Sequence, residues 1–383
     1  MSTPVDLDAY LGECRALVLD EIARRIPKGG RVDAVLYDLM MDYPLRPAKG
    51  LRPALCIAAC RALGGGLEAV LPTASVLELY HNAFLIHDDV EDGSEKRRDA
   101  VTLHRAHGVP IAVNVGDAML AMALGPLLEN MRVLDMGRAL RILEVVATMA
   151  RESAEGQALE LDWVRRARWD LSDDDYLGMV DQKTGWYSFV APLVMGAIAA
   201  DAPASQVAAL EGFGRALGAA FQIQDDVLNL LARESDYGKE IGGDLWEGKH
   251  TLMVIHALRA LSGDDRARAL GILAKARPAP SHDASLRLRA MLPRLRAEGQ
   301  LTAEGLAALE SAMPREAEVK TAEEVAWLDR VVRETGAIPY AQSVARARAA
   351  EAAEALEGFT WMRPSAHRGV LEAVVDFVIA RDR

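Results

Sequence analysis

The chain has 383 residues, 51% of them hydrophobic and 26% charged, with 44 Lys and Arg against 56 Asp and Glu and a formal net charge of −12. This composition excludes a disordered chain, and the length allows one large domain or two ordinary ones with a sizeable core. The acidic balance argues against nucleic acid as the main partner, because no excess of cations is available to neutralise phosphates; a local basic pocket remains open.

In chain order, the N-terminal MSTPVDLDAYLGEC lacks the basic and apolar regions of a secretion signal. The longest continuous apolar run, Phe189 to Ala200, is too short to cross a bilayer and contains Pro192. A cytoplasmic protein without a membrane span is expected. Helical periodicity marks residues 6–25, 51–63, 72–92, 113–131, 138–162, 173–200, 205–232 and 249–262. Helix punctuation accompanies it: Pro72 at a start, Gly93 just past an end, Ser172 before an acidic first turn. Residues 275–283, KARPAPSHD, break the pattern, and an Ala/Glu/Arg-rich helical stretch follows. We read 275–320 as a helical insertion in a single all-α domain spanning 1–383, with amphipathic helices resuming over 326–380. Cys14, Cys56 and Cys60 form no CxxC pair and suit small core positions.

The stretch FLIHDDVEDGSEKRR, residues 84–98, places Asp88, Asp89, Glu91 and Asp92 where a helix is ending. Carboxylates there face the negative end of the helix dipole and repel one another. Asp88 and Asp92 lie one turn apart on one face, a spacing suited to hard cations such as Mg2+, which prefers carboxylate, water and phosphate oxygens. An i,i+4 acid pair alone is most often a solvated helix face. Here the preceding Leu79, Phe84, Leu85 and Ile86 make the helix a packed one. A second pair, Asp225–Asp226 in FQIQDDVLNL, sits among Phe221, Ile223, Val227 and Leu228. Unpaired carboxylates inside such a helix are unfavourable, so a shared multi-metal site is expected. Lys49, Arg52, Arg97, Arg98, Lys183, Lys239 and Lys249 flank the two clusters. Metal ions and cations together suit a diphosphate.

LRPAKGLRP, ELYHNAFLIHDDVEDGSEKRR, DQKTGWY, FQIQDDVLNL and YGKEIGGDLWEGKHTL resemble, in order, the motif series of head-to-tail (trans) isoprenyl diphosphate synthases, the polyprenyl synthetase family, from about residue 40 to the C-terminus. The resemblance implies antiparallel helices around a central cavity, with an aspartate cluster on each side of its mouth, and a homodimer. It implies about three Mg2+ ions held by Asp88, Asp92 and Asp225, with Asp89 and Asp226 in support. Arg97, Lys183, Gln222 and Lys239 would grip an allylic diphosphate, with Lys249 near its metal-bound phosphate and Thr184 near the developing cation. Lys49, Arg52, His81 and Arg98 would hold isopentenyl diphosphate. Two positions depart from the pattern: Asp99 stands where a glycine is usual, and Asn229 replaces the last aspartate of the second motif.

These parts imply ionisation of the allylic diphosphate, attack by the double bond of isopentenyl diphosphate, and loss of a proton to the departed diphosphate. On the helix leading to Asp88, Phe84 and Ala83 lie ~6 to 7.5 Å deeper, with Tyr80 a turn further. They form the expected floor, for a short product with C20 favoured over C15. Two alternatives are a class I terpene cyclase, which needs no second substrate site, and a non-catalytic subunit of a heteromeric synthase, which would have lost ligands.

Overall fold

The computed structural model describes residues 5–231, 241–278, 282–312 and 319–380. Its long elements are α1 (Leu7–Arg25), α2 (Leu51–Ala62), α3 (Leu67–Glu91), α4 (Val109–Met122), α5 (Leu124–Val133), α6 (Met136–Arg165), α7 (Asp173–Val180), a π-helical stretch (Asp181–Val190), α8 (Ala191–Ala199), α9 (Ala204–Leu231), α10 (Gly243–Glu247), α11 (Leu252–Ala260), α12 (Gly263–Leu273), α13 (His282–Ala297), α14 (Ala303–Ala312), α15 (Ala322–Glu334), α16 (Ala337–Glu357) and α17 (Ala366–Ala380). The fold is all-α, as expected. Among the described residues the strands are β1 (Lys96–Arg97) and β2 (Ala100–Val101), a minimal antiparallel hairpin that helical periodicity does not reveal.

The innermost helices are apolar almost all round. In α2, every residue from Pro53 to Cys60 is buried. It packs against α8, where Gly196 permits close approach, since a Cβ there would meet Cys56 O at 2.3 Å. The helix α3 packs against α2, α4 and α5, while α9 packs against the π-helical stretch and α16. The acids thus sit at the C-terminal ends of two long helices whose bodies are fixed in the core.

Several boundaries differ from expectation. The helix α3 begins at Leu67, so Pro72 lies inside it, in the second turn, and the bond to Glu68 O is forgone. The stretch 113–131 is two helices, α4 and α5, broken by a turn at Ala123. The helix expected from 249 starts at Leu252, because Thr251 caps it by accepting from Val254 N–H at 3.3 Å. Ser172 does cap α7, in a capping box with Asp175. Cys14, Cys56 and Cys60 are buried and free. The 275–320 element is an arm of two mutually packed helices, α13 and α14, pinned at its base by a parallel bridge between Ala276 and Val319.

By length and composition alone, Leu67–Glu91 and Val109–Val133 are apolar enough to cross a membrane. The first is a core helix. The second is half open, and with the start of α6 it exposes Val113, Leu124, Leu128, Met131, Met136, Leu140 and Leu143, Leu128 at 62%.

Candidate active site

The last turn of α3 divides its acids between two tasks. Asp89 points into the protein and is fully buried; it accepts from Tyr43 OH at 2.6 Å and from Arg97 Nε at 3.0 Å, with Arg97 Nη2 closing a bidentate pair. Asp88 and Asp92 face the other way. Burial pushes the Asp88 carboxyl up to about 6, opposed by Lys183 and reinforced by Asp92. Asp92 forms an ion pair with Lys249, whose Nζ lies 3.6 Å from Asp92 Oδ2, 3.8 Å from Asp244 Oδ1 and 3.0 Å from Glu247 Oε2. Burial opposes the charge of Lys249, but Asp92, Glu247, Asp244 and Glu160 together hold its pKa well above the ordinary lysine range.

On α9, Asp226 accepts from Tyr176 OH at 2.7 Å and from Gln222 Nε2, one turn earlier, at 2.8 Å. Burial, with Asp244 and Asp225 close by, keeps this carboxyl well above its usual range. Gln222 therefore braces the second acid pair. Asn229 is buried and caps α10, its Oδ1 accepting from Asp244 N–H at 3.2 Å while its main-chain carbonyl accepts from Gly242 N–H at 2.7 Å. An amide serves that position better than a carboxylate would, because no further charge is gathered beside Asp225, Asp226 and Asp244. Lys249, in the segment after α9, pairs with Asp92 at the end of α3 and with Asp244, whose charge acts in turn on Asp226. Lys239 lies outside the described residues.

Lys183 projects from the π-helical stretch and pairs with Glu160 of α6. The widened turn brings its backbone so near α6 that a Cβ on Gly156 would meet Lys183 N at 2.4 Å. Thr184 beside it is buried.

The four residues expected for isopentenyl diphosphate converge. Lys49, Arg52, His81 and Arg98 line one cavity of about 280 Å³, together with Glu78, Phe221 and Phe377. Arg52 donates to Tyr187 OH at 3.1 Å and Ser188 Oγ at 2.8 Å, and its Nη1 lies 3.1 Å from His81 Nε2. Arg98 Nη2 lies 3.4 Å from that same nitrogen and Arg98 Nη1 donates to Tyr43 O at 3.1 Å. Burial and the two guanidinium groups hold His81 well below its usual pKa, so it is neutral and accepts at Nε2. Burial likewise pushes Arg98 down to about 10, with Arg52 and Arg97 adding and Glu78 opposing. Cations crowded this closely make a receptor for an anion.

The same geometry explains Asp99. Arg98 and Asp99 are the two turn residues between β1 and β2, at φ of 53° and 61°. Both central positions of such a turn need positive φ, which glycine adopts freely and aspartate tolerates. Asp99 is exposed at the tip of the turn.

Three residues outside the expected set matter to this arrangement. Arg46 holds the hairpin by donating to Arg97 O at 2.8 Å and Val101 O at 2.7 Å. Glu160 anchors Lys183, and Tyr187 joins the cationic cavity to the proposed floor. Phe84 is half-buried, 5.5 Å between ring centroids from Tyr187 and 5.8 Å from Tyr80, both edge-on, while Ala83 is fully buried. A sequence signal existed for Arg46, inside LRPAKGLRP, and for Tyr187, inside DQKTGWY, but none for Glu160.

The donor set fits a hard divalent cation: buried carboxylates with raised pKa values, gathered with like charges and without nitrogen or sulfur ligands. Among the described residues no three such side chains close around one point.

The polyprenyl synthetase sequence profile matches residues 34–286. A short chain isoprenyl diphosphate synthase of Methanocaldococcus jannaschii is 35% identical over 241 residues, 63% of this chain and 72% of its own. A geranylgeranyl diphosphate synthase of Methanosarcina mazei is 39% identical over 211 residues, 55% of this chain and 63% of its own. Among solved structures, the geranylgeranyl pyrophosphate synthetase of Pyrococcus horikoshii superposes with a TM-score of 0.78 at 28% identity, covering 98% of both chains. Other relatives are named geranylfarnesyl and octaprenyl diphosphate synthase. The chain belongs to the polyprenyl synthetase family of trans-prenyltransferases, the enzymes that elongate isoprenyl diphosphates.

Proposed function

We propose that this enzyme condenses isopentenyl diphosphate with an allylic diphosphate to a short product, C20 ahead of C15, in a Mg2+-dependent reaction. The observation that carries this reading is the cationic cavity, with Lys49, Arg52 and Arg98 around neutral His81, which suits a second diphosphate. A cyclase of the same fold has no use for it. A subunit stripped of ligands would not retain both acid clusters.

In this reading Asp88, Asp92 and Asp225 hold the metal ions, about three in number, while Asp89 and Asp226 support them through Arg97 and through Tyr176 and Gln222. When bound, Mg2+ would supply positive charge to the leaving diphosphate. Lys183, Arg97, Lys239 and Lys249 grip that diphosphate, and Thr184 lies beside Lys183 next to the carbon that becomes cationic. Lys49, Arg52 and Arg98 orient isopentenyl diphosphate so that its double bond is the nucleophile. None of the buried side chains is needed as a dedicated base, since the released diphosphate accepts the proton. Exclusion of water from the closed mouth protects the cation.

The Tyr80–Phe84–Tyr187 ring cluster supports a short product, since Phe84 lies one to two isoprene units below Asp88 by helix rise, with Tyr80 a turn deeper. Purified enzyme given Mg2+, isopentenyl diphosphate and dimethylallyl, geranyl or farnesyl diphosphate should release chiefly C20 diphosphate. Hydrocarbon from an allylic diphosphate alone, or no turnover, would refute the assignment. Phe84→Ala should lengthen the product, and an unchanged chain length would remove Phe84 from the floor. The exposed apolar face of α4, α5 and α6 fits a second copy of the chain, and light scattering should return twice the monomer mass. We read the chain as one cytoplasmic catalytic domain with the α13–α14 arm as an insertion.

A further inference from the structure

Lys320, at the exit of the helical arm, is only 2% exposed and is among the largest fully buried side chains of the protein. Burying an ammonium opposes folding unless its protons find acceptors. Here they find main-chain carbonyls from two separate segments. Nζ donates to Trp246 O at 3.0 Å, in the last turn of α10, and to Lys275 O at 2.6 Å, at the entry of the arm. Its own N–H donates to Ala276 O at 2.9 Å, beside the Ala276–Val319 bridge. Gly248, at φ 75°, packs over the ammonium so closely that a Cβ would lie 3.3 Å from Nζ.

The carbonyl that Lys320 holds is three residues before Lys249. From that anchor the chain closes α10 with the Lys249 N–H donating to Asp244 O at 2.9 Å, and the Lys249 side chain then reaches Glu247 and Asp92. Glu247 is fixed from its other side by Arg277, 3.3 Å away at the same arm entry. The carboxylates near the ammonium have other cations: Glu247 has Lys249 and Arg277, and Glu324 has Lys275 at 2.5 Å. Lys320 therefore acts on backbone, where the entry and exit of the arm meet the segment that carries Lys249. It lies beyond the residues matched by the family profile, which end at 286.

We propose that Lys320 is a positioning residue for the allylic-diphosphate end of the site: by clamping the carbonyl end of α10 to both ends of the arm, it sets the reach of Lys249 to Asp92. The inference rests on the role given to Lys249 above. A loop end released by even an ångström misplaces Lys249 relative to Asp92, and displacements of that size can cost up to ~10²-fold in rate.

The test is a double-mutant cycle of Lys320→Met with Lys249→Ala, read as separate KM values for the two substrates. Lys320→Met should raise the KM for the allylic diphosphate by about tenfold and leave that for isopentenyl diphosphate within about twofold. In the Lys249→Ala background the same change should have almost no further effect, since coupled residues are not additive. An unchanged allylic KM, or an equal loss in both backgrounds, overturns the proposal. If Lys249→Ala alone leaves turnover intact, it is the role of Lys249 that falls, and the clamp loses its target with it. Circular dichroism and the melting temperature report whether Lys320→Met folds. If it does not, Lys320→Gln, which keeps a side-chain N–H donor, carries the same cycle and should show a smaller allylic KM increase that again vanishes with Lys249→Ala.

Discussion

The cationic and the acidic regions of the site are built on opposite electrostatic plans. Around His81 the cations are wired in advance: Arg52 has Tyr187, Ser188 and His81 as partners, and Arg98 has Tyr43 O and His81. Around Asp88 and Asp226 the carboxylates are crowded with other carboxylates, and their pKa values are raised. The cationic cavity is a finished receptor. The acid mouth is in tension until positive charge arrives, and its helices tolerate this because their bodies are locked in the core.

Removing an acid should therefore reduce activity and relieve the fold at once. Asp88→Asn is expected to lower kcat by about 10³-fold, ~4 kcal/mol, while raising the melting temperature of the metal-free protein. A melting temperature that falls would break the contrast. Arg52→Met should do the reverse on stability, leaving the Tyr187 and Ser188 hydroxyls without a donor, a loss of ~1–3 kcal/mol. Its KM for isopentenyl diphosphate should rise by about 10²-fold with the allylic KM little changed, as steady-state kinetics would show. Glu160→Gln tests a cation on the acid side that pairs with α6: freeing Lys183 from its carboxylate should cost about tenfold in kcat/KM for the allylic substrate. The last expectation concerns pH. Asp88 titrates at about 6 in the fold against 3.8 unfolded, so its stabilising contribution is complete below about 3.8 and is lost as pH rises through about 6. Calorimetry of metal-free protein should show stability declining across that window, and the rise in melting temperature on adding Mg2+ should grow with pH.

Much of the site could be read residue by residue. His81 was placed with Lys49, Arg52 and Arg98 by motif order, and the structure gathers the four around one cavity. Asp88 and Asp92 share a face, as helical spacing requires. What stayed hidden depends on partners remote in sequence. Nothing near Glu160 marks it as the anchor of Lys183, because the pairing arises from a π-helical widening packed against Gly156. Asp89 reads like its neighbour Asp88, yet it turns inward to Tyr43 and Arg97. Asp99 and Asn229, departures when judged by pattern, become ordinary once the turn and the α10 cap are seen.

Apolar periodicity and the placement of acids in apolar helices were enough to determine an all-α chain with two charged helix ends, because burial patterns and the charge balance are local properties of the sequence. Which carboxylate faces the mouth, where the chain turns at Arg98–Asp99, and how Lys320 reaches Trp246 and Lys275 were decided only by tertiary structure. Those outcomes depend on contacts between segments far apart in the chain, whose geometry no local pattern encodes.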